Sequence, residues 1–448
     1  MSIPIFEIQF DKDANPVQPS QEQSVIAALT ASSGASTDVI VLSHGWNNDM
    51  DEARTLYRDF LNFLDPLTPS GKRLAAIGVL WPSKKFADSD LIPGGAASMN
   101  TDIDPAGQRA LLDRLQEMKN LFADDNADRK LDQMKTLVAG LANDTAKQND
   151  FVRLLAEAAA PHLDNSQTSD GDGSAKLAGL LDGSGLLNRL AKPIGPRVNT
   201  SAGGAAGGGG LGGNPAMARG AAAVTSAAGI SDIFSGIKAG AMRLLNLITY
   251  YVMKDRAGKI GSTALNPMLK RIQDKVPQAM KFHFAGHSFG GRLVTATVDG
   301  PQTLRVQTLL LLQAAYSHNG LALNFDNTGK NGFFHAVLDR NKVVNPILIT
   351  HTNKDKAVGL AYPLASRLNG DDAAAIGDKN DIFGGMGANG AQHVAAADIT
   401  LQPANGTYNF PALGKRVINF NGDAIITSHG DVARPETALV LATAIKLP

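Results

Sequence analysis

The chain has 448 residues, 44% hydrophobic and 19% charged, a composition that builds a large core and excludes a wholly disordered protein. Lysine plus arginine and aspartate plus glutamate number 42 each, so nothing in the charge supports a nucleic-acid or polybasic membrane role. Cysteine is absent, which excludes disulfides, thiolate metal sites and a cysteine nucleophile and leaves the redox compartment open.

The opening MSIPIFEIQFDKD lacks a basic segment followed by an apolar one, and predicts a strand over 3–10 rather than a leader. No run of eighteen apolar residues is free of charge. The nearest, 233–253, carries Lys238 and Arg243 and reads as a buried helix, so no stable membrane insertion is expected. A cytoplasmic location is the expectation, with export that needs no cleaved signal left open. Residues 21–31 place Val25, Ile26 and Leu29 at helical spacing. Asp38–Ser43, DVIVLS, is a continuous apolar run suited to a strand covered on both faces, and it leads into His44-Gly45-Trp46. Met50–Leu64 has helical periodicity, and Leu74–Leu80 is a second buried strand ended by Trp81-Pro82-Ser83. Strand, helix, strand, helix, strand is the start of a parallel sheet with helices on its faces.

That rhythm breaks over 84–231, where no strand is expected. Residues 106–122, 131–141 and 151–160 read as amphipathic helices, 165–174 as polar linker, and 203–213, GGAAGGGGLGG, as a low-complexity hinge. The segment is expected to be a helical insertion in a catalytic domain made of 1–83 and 232–448, either a pocket lid or a partner-binding arm. Asp170-Gly171-Asp172-Gly173-Ser174 lacks the terminal glutamate of a calcium loop. With no H-E-x-x-H, P-loop or dinucleotide fingerprint either, no metal or cofactor is expected. Beyond the insertion, helices are expected over 233–253 and 263–275. Further strands are expected over 281–285, 306–312, 346–350 and 416–420. Short helices are expected over 333–338 and 360–368, a long loop over 369–398, and a closing helix over 435–446.

Chemistry centres on Gly286-His287-Ser288-Phe289-Gly290, a G-x-S-x-G between a strand and a helix. Such a turn holds the serine on strained backbone, clear of the sheet, beside free helix N–H groups. A serine hydroxyl needs a base, and the base needs an acid to set its tautomer. In chain order Ser, Asp, His, the groups after successive strands are Ser288, Asp355 and His429. His393 is the rival base, and Asp381 and Asp398 are rival acids, all in the long loop. His44, His287, His318 and His351 are the other histidines weighed. An oxyanion requires two N–H donors, expected from Phe289 after the nucleophile and from Trp46 in the loop after the early strand. His44, Gly45 and His287 are assigned to substrate binding, although the ring of His287 is expected to point away from the pocket.

With these motifs, His44–Trp46, Trp81–Ser83 and Gly286–Gly290, the sequence resembles the α/β-hydrolase superfamily, in particular a branch of uncharacterised bacterial serine hydrolases with HGW, WPS and GHSFG motifs. The resemblance covers about 1–83 and 232–448. It implies an α/β fold with a mostly parallel eight-stranded sheet flanked by helices, and a Ser288–Asp355–His429 triad. The activity expected is hydrolysis of a carboxylic ester, esterase- or lipase-like, with a small-molecule ester or lipid as partner. An amidase or peptidase on the same triad, and an inactive binding scaffold, are the alternatives. Substrate identity and oligomeric state stay open.

Overall fold

The computed structural model describes residues 3–31, 36–46, 48–83, 105–122, 124–163, 177, 182–191, 236–327, 329–355, 357–358, 379 and 384–448. The strands are β1 (Ile5–Gln9), β2 (Asp38–Ser43), β3 (Leu74–Leu80), β4 (Lys281–His287), β5 (Thr308–Leu312), β6 (Ile347–His351), β7 (Ala396–Thr400) and β8 (Val417–Asn421). They form one eight-stranded sheet in the order β1-β3-β2-β4-β5-β6-β8-β7, and every pairing is parallel. The mostly parallel sheet expected from the sequence is therefore wholly parallel. β2 and β4 lie side by side, with Ser43 level with Gly286, so the loops that follow them leave the same edge together. The chain winds outward in opposite directions from this pair, and that is where open α/β sheets form their crevices.

Alternation along each strand feeds two cores. In β2, Val39 and Val41 enter one cluster and Ile40 and Leu42 the other. The first face is covered by α1 (Ser20–Thr30) and, later in the chain, by three helices that follow the insertion. The second is covered by α2 (Met50–Leu64), whose Tyr57, Phe60 and Leu61 pack beneath the sheet. Asp49 and Glu52 cap α2 reciprocally, which satisfies two of its free N–H groups.

The segment after β3 is helical where it is described: α3 (Pro105–Glu117), α4 (Asp125–Leu137), α5 (Thr145–Ala159) and α6 (Gly183–Ala191). Asp124 and Asp144 cap α4 and α5 by accepting from Asn126 N and Ala146 N. Leu111, Leu131, Phe151 and Leu187 from these four helices belong to the same hydrophobic cluster as Val39 and Phe284 of the sheet. The link is α7 (Gly236–Lys259), a helix buried on nearly all sides. Its Arg256 is buried and donates to Pro82 O at 2.8 Å and to Leu121 O at 2.9 Å. One guanidinium thus ties the end of β3 to the turn after α3. Burial lowers its pKa to about 10, still charged at neutral pH.

A π-helical turn, Ile260–Leu265, joins α7 to α8 (Asn266–Lys275), so the two predicted helices are one continuous rod with a bulge. At the bulge Gly261 lies against Leu293 O, where no side chain fits. The residues after β4 form α9 (Phe289–Asp299), and the chain closes with α10 (Pro435–Ile445). The long loop expected over 369–398 needs correction. It holds a short helix, Met386–Asn389, and runs into the edge strand β7. The strand carries one large aliphatic residue, Ile399, and none of its residues is fully buried. The expected helix 360–368, the hinge 203–213, the loop 170–174 and Asp381 lie outside the described residues. No helix among the described residues is long and apolar enough to cross a membrane.

Candidate active site

Ser288 stands between β4 and α9 with φ +56° and ψ −125°. A positive φ costs a residue with a side chain roughly 1–3 kcal/mol, and such strain persists only where the surroundings enforce it. They do so through three main-chain bonds. Ser288 N donates to Leu312 O at 3.1 Å, and Ser288 O accepts from Gly291 N at 2.9 Å and Ala315 N at 3.0 Å. Glycine is required on both sides of the turn. A Cβ on Gly290 would strike the carbonyls of Ser43 and His44, and one on Gly286 would strike Gly290 O. The serine is 3% exposed.

The loop after β2 lies directly against this turn. A Cβ on Gly45 would fall 2.6 Å from Ser288 Cβ and 3.0 Å from His287 Nδ1. His44, expected to touch substrate, is instead fully buried, with Nε2 accepting from Trp81 N at 3.2 Å and its ring stacked on Trp81 at 5.5 Å. Its own N–H and carbonyl are also engaged, by Tyr57 OH and Trp81 Nε1. The role visible for His44 is to fix the loop that presents Gly45 and Trp46. Trp46 packs on Phe289 (5.9 Å between ring centroids) and on Tyr250 of α7 (6.2 Å), while Tyr250 and Phe289 are 4.8 Å apart. Three aromatic rings therefore form a wall beside the Ser288 turn.

Asp355 follows β6 and is 1% exposed. One oxygen accepts from Val358 N at 2.9 Å, as a helix cap would, and the other meets His429 Nδ1 at 2.8 Å. A carboxylate at this distance accepts the Nδ1 proton, which leaves Nε2 as the basic nitrogen. His429 lies in the loop after β8, and its ring centroid is 4.8 Å from that of His287, the neighbour of Ser288. Ser288, Asp355, His429, Gly45, Trp46 and Phe289 are thus gathered at the carboxyl edge of the sheet. The rivals are not. His393 bonds Asn319 Oδ1 at 2.7 Å, and Asp398 accepts from Asn419 Nδ2 at 2.7 Å on the edge strand pair. Among the described residues no group of three or more His, Asp or Glu side chains is placed to hold a metal ion.

Sequence reasoning missed Tyr250 and Gln313. Gln313 follows β5 directly, is fully buried and has φ +44°. A lone glutamine after TLLLL, in a stretch otherwise apolar, was the available signal. Comparison with known proteins finds no matching family model, curated protein or solved structure.

Two expectations arise from this packing. Gly45→Ala should lower any turnover at Ser288 by about 10²–10³-fold, because the added methyl must push the loop off the serine turn. Steady-state rates beside an unchanged thermal midpoint test it, and wild-type turnover would contradict it. The second concerns acid. Burial holds His44 at a pKa of about 4; burial, with the nearby His429 adding to it, holds His287 at about 3. Both lie below the unfolded value near 6.5, so the unfolded chain binds more protons below that pH. Stability contributed by the neutral rings is complete above pH 6.5 and falls as pH drops toward 4 and 3. Each ring should cost about 2 kcal/mol at pH 5 relative to pH 7.5. Urea midpoints at the two pH values measure this; equal midpoints would refute it.

Proposed function

We propose that this protein is a serine hydrolase of the α/β-hydrolase type that cleaves carboxylic esters through an acyl-enzyme on Ser288. The observation that carries the reading is the 2.8 Å His429–Asp355 bond beside a serine held at positive φ between a strand and a helix. In this reading Ser288 Oγ attacks the ester carbon and gives its proton to His429 Nε2. Asp355 holds the imidazole in the tautomer that can take it and stabilises the cation formed. The main-chain N–H groups of Phe289 and Trp46 receive the oxyanion. Collapse expels the alcohol, which leaves with the proton from His429. Water then attacks the acyl carbon by the same route and frees Ser288.

The wall of Trp46, Tyr250 and Phe289 supports an apolar acyl group over a charged one, so the substrate is read as a small neutral ester or a lipid. The described helices α3–α6 share one hydrophobic cluster with α7 and the sheet, which supports a packed element over a free arm. The protein is read as acting in the cytoplasm and without a cofactor. A panel of p-nitrophenyl esters of graded acyl length, set against matching anilides, tests the reading. Faster turnover of esters supports it. Anilides turned over as fast or faster would make it an amidase or peptidase, and no turnover of either would favour an inactive scaffold.

A further inference from the structure

The main-chain carbonyl of His429 receives two side-chain donors from the ends of two other strands. Gln313 Nε2 reaches it at 2.8 Å and also reaches Ser428 O at 3.0 Å. His287 Nε2 reaches it at 2.9 Å. A carbonyl only accepts, so both contacts fix chemistry as well as position. Gln313 must present its amide nitrogen, and His287 must carry its proton on Nε2. Neither side chain is cheap to place there. Gln313 is wholly buried at φ +44°, and its Oε1 finds no hydrogen-bond partner among the described residues. His287 is 6% exposed, and its Nδ1, turned toward Gly45, is likewise without one. Mere packing would favour an apolar residue at each position, since a buried polar atom left unpaired costs about 1–3 kcal/mol. The donated bonds are the return on that cost.

We infer that Gln313 and His287 are positioning residues for His429, clamping the backbone of the base so that its imidazole stays directed between Asp355 and Ser288. The inference rests on the proposed hydrolase reading. It also reassigns His287, expected from sequence to touch substrate, to the loop that carries the base. The Asp355 bond sets the tautomer and one edge of the ring. The ring can still swing about that bond unless the backbone behind it is held, and the clamp holds it. Nε2 of His287 carries a proton in this neutral tautomer and in the imidazolium alike, so the donated bond does not depend on the charge of the ring.

The test uses four variants of the full chain. Gln313→Met keeps the volume and removes the donor. Gln313→Glu keeps the shape and replaces the donor by an acceptor. His287→Phe removes the second donor, and His287→Gln can restore it from a similar place. Gln313→Met, Gln313→Glu and His287→Phe should each lower kcat by about 10–10²-fold with KM little changed, the scale of a small misplacement of a reacting group. His287→Gln should recover most of the rate. The low-field proton signal of His429 Nδ1–H, read by one-dimensional NMR, should be sharp in wild type and His287→Gln and broadened in the other three. Folded Gln313→Met or His287→Phe with wild-type kcat and an unchanged signal would overturn the inference, as would a loss confined to KM. If Gln313→Met does not fold, the two His287 variants decide. If the wild type hydrolyses no ester, the hydrolase reading fails on its own. The proton signal then decides the clamp, and its persistence in Gln313→Met counts against it.

Discussion

Ser288→Ala is expected to lower ester turnover by about 10⁶-fold, to the rate left when binding and oxyanion donors act on water alone. The size follows from the whole covalent route passing through one oxygen. The fold should survive the change. The bonds that enforce the turn, from Ser288 N and to Ser288 O, belong to the main chain and remain in the alanine variant. Kinetics beside a thermal midpoint check both halves. Turnover within tenfold of wild type would place the chemistry elsewhere.

Asp355→Asn is expected to lower kcat by about 10⁴-fold with KM little changed. The asparagine would keep the size of a residue that is 1% exposed, so packing is preserved. What changes is the partner offered to His429 Nδ1. An amide that turns its nitrogen toward Nδ1 asks that atom to accept, which moves the ring proton to Nε2 and removes the base. An amide that turns its oxygen keeps the tautomer and loses the charge that steadies the imidazolium. The other carboxylate oxygen accepts from Val358 N at 2.9 Å, so the second arrangement must also break a cap. Retained kcat in a folded variant would show that the 2.8 Å bond is structural.

The sheet was legible because its central strands are buried on both faces. DVIVLS and LAAIGVL leave little choice of structure, and the observed β2 and β3 coincide with the expected ranges. β7 was hidden because AADIT is half-buried or exposed along its length and carries one large aliphatic residue, so it reads as loop. The break between the helices at 233–253 and 263–275 was illegible for another reason. Glycine, serine and threonine at 261–263 look like an interruption, yet here they form a bulge that lets two helices pass closely. Chain order picked out Ser288, Asp355 and His429 because each follows a strand. It could not see what the other polar residues do. His44 and His287 carry imidazoles near the serine, and proximity in sequence pointed to substrate. In the folded chain Nε2 of each ring is turned to backbone, one holding the loop after β2 and the other the loop after β8. Gln313 gains its meaning only when β5 and the loop after β8 come together, a contact across more than a hundred residues.

The most direct measurement is to treat the full chain with a fluorophosphonate and map the adduct by peptide mass spectrometry. A covalent catalyst of the proposed kind should carry one phosphonyl group on the peptide that contains Ser288. Labelling should be lost in Ser288→Ala and strongly slowed in His429→Ala. An active wild-type protein that gains no adduct, or gains it on another serine while Ser288→Ala still labels, would contradict nucleophilic catalysis at this turn.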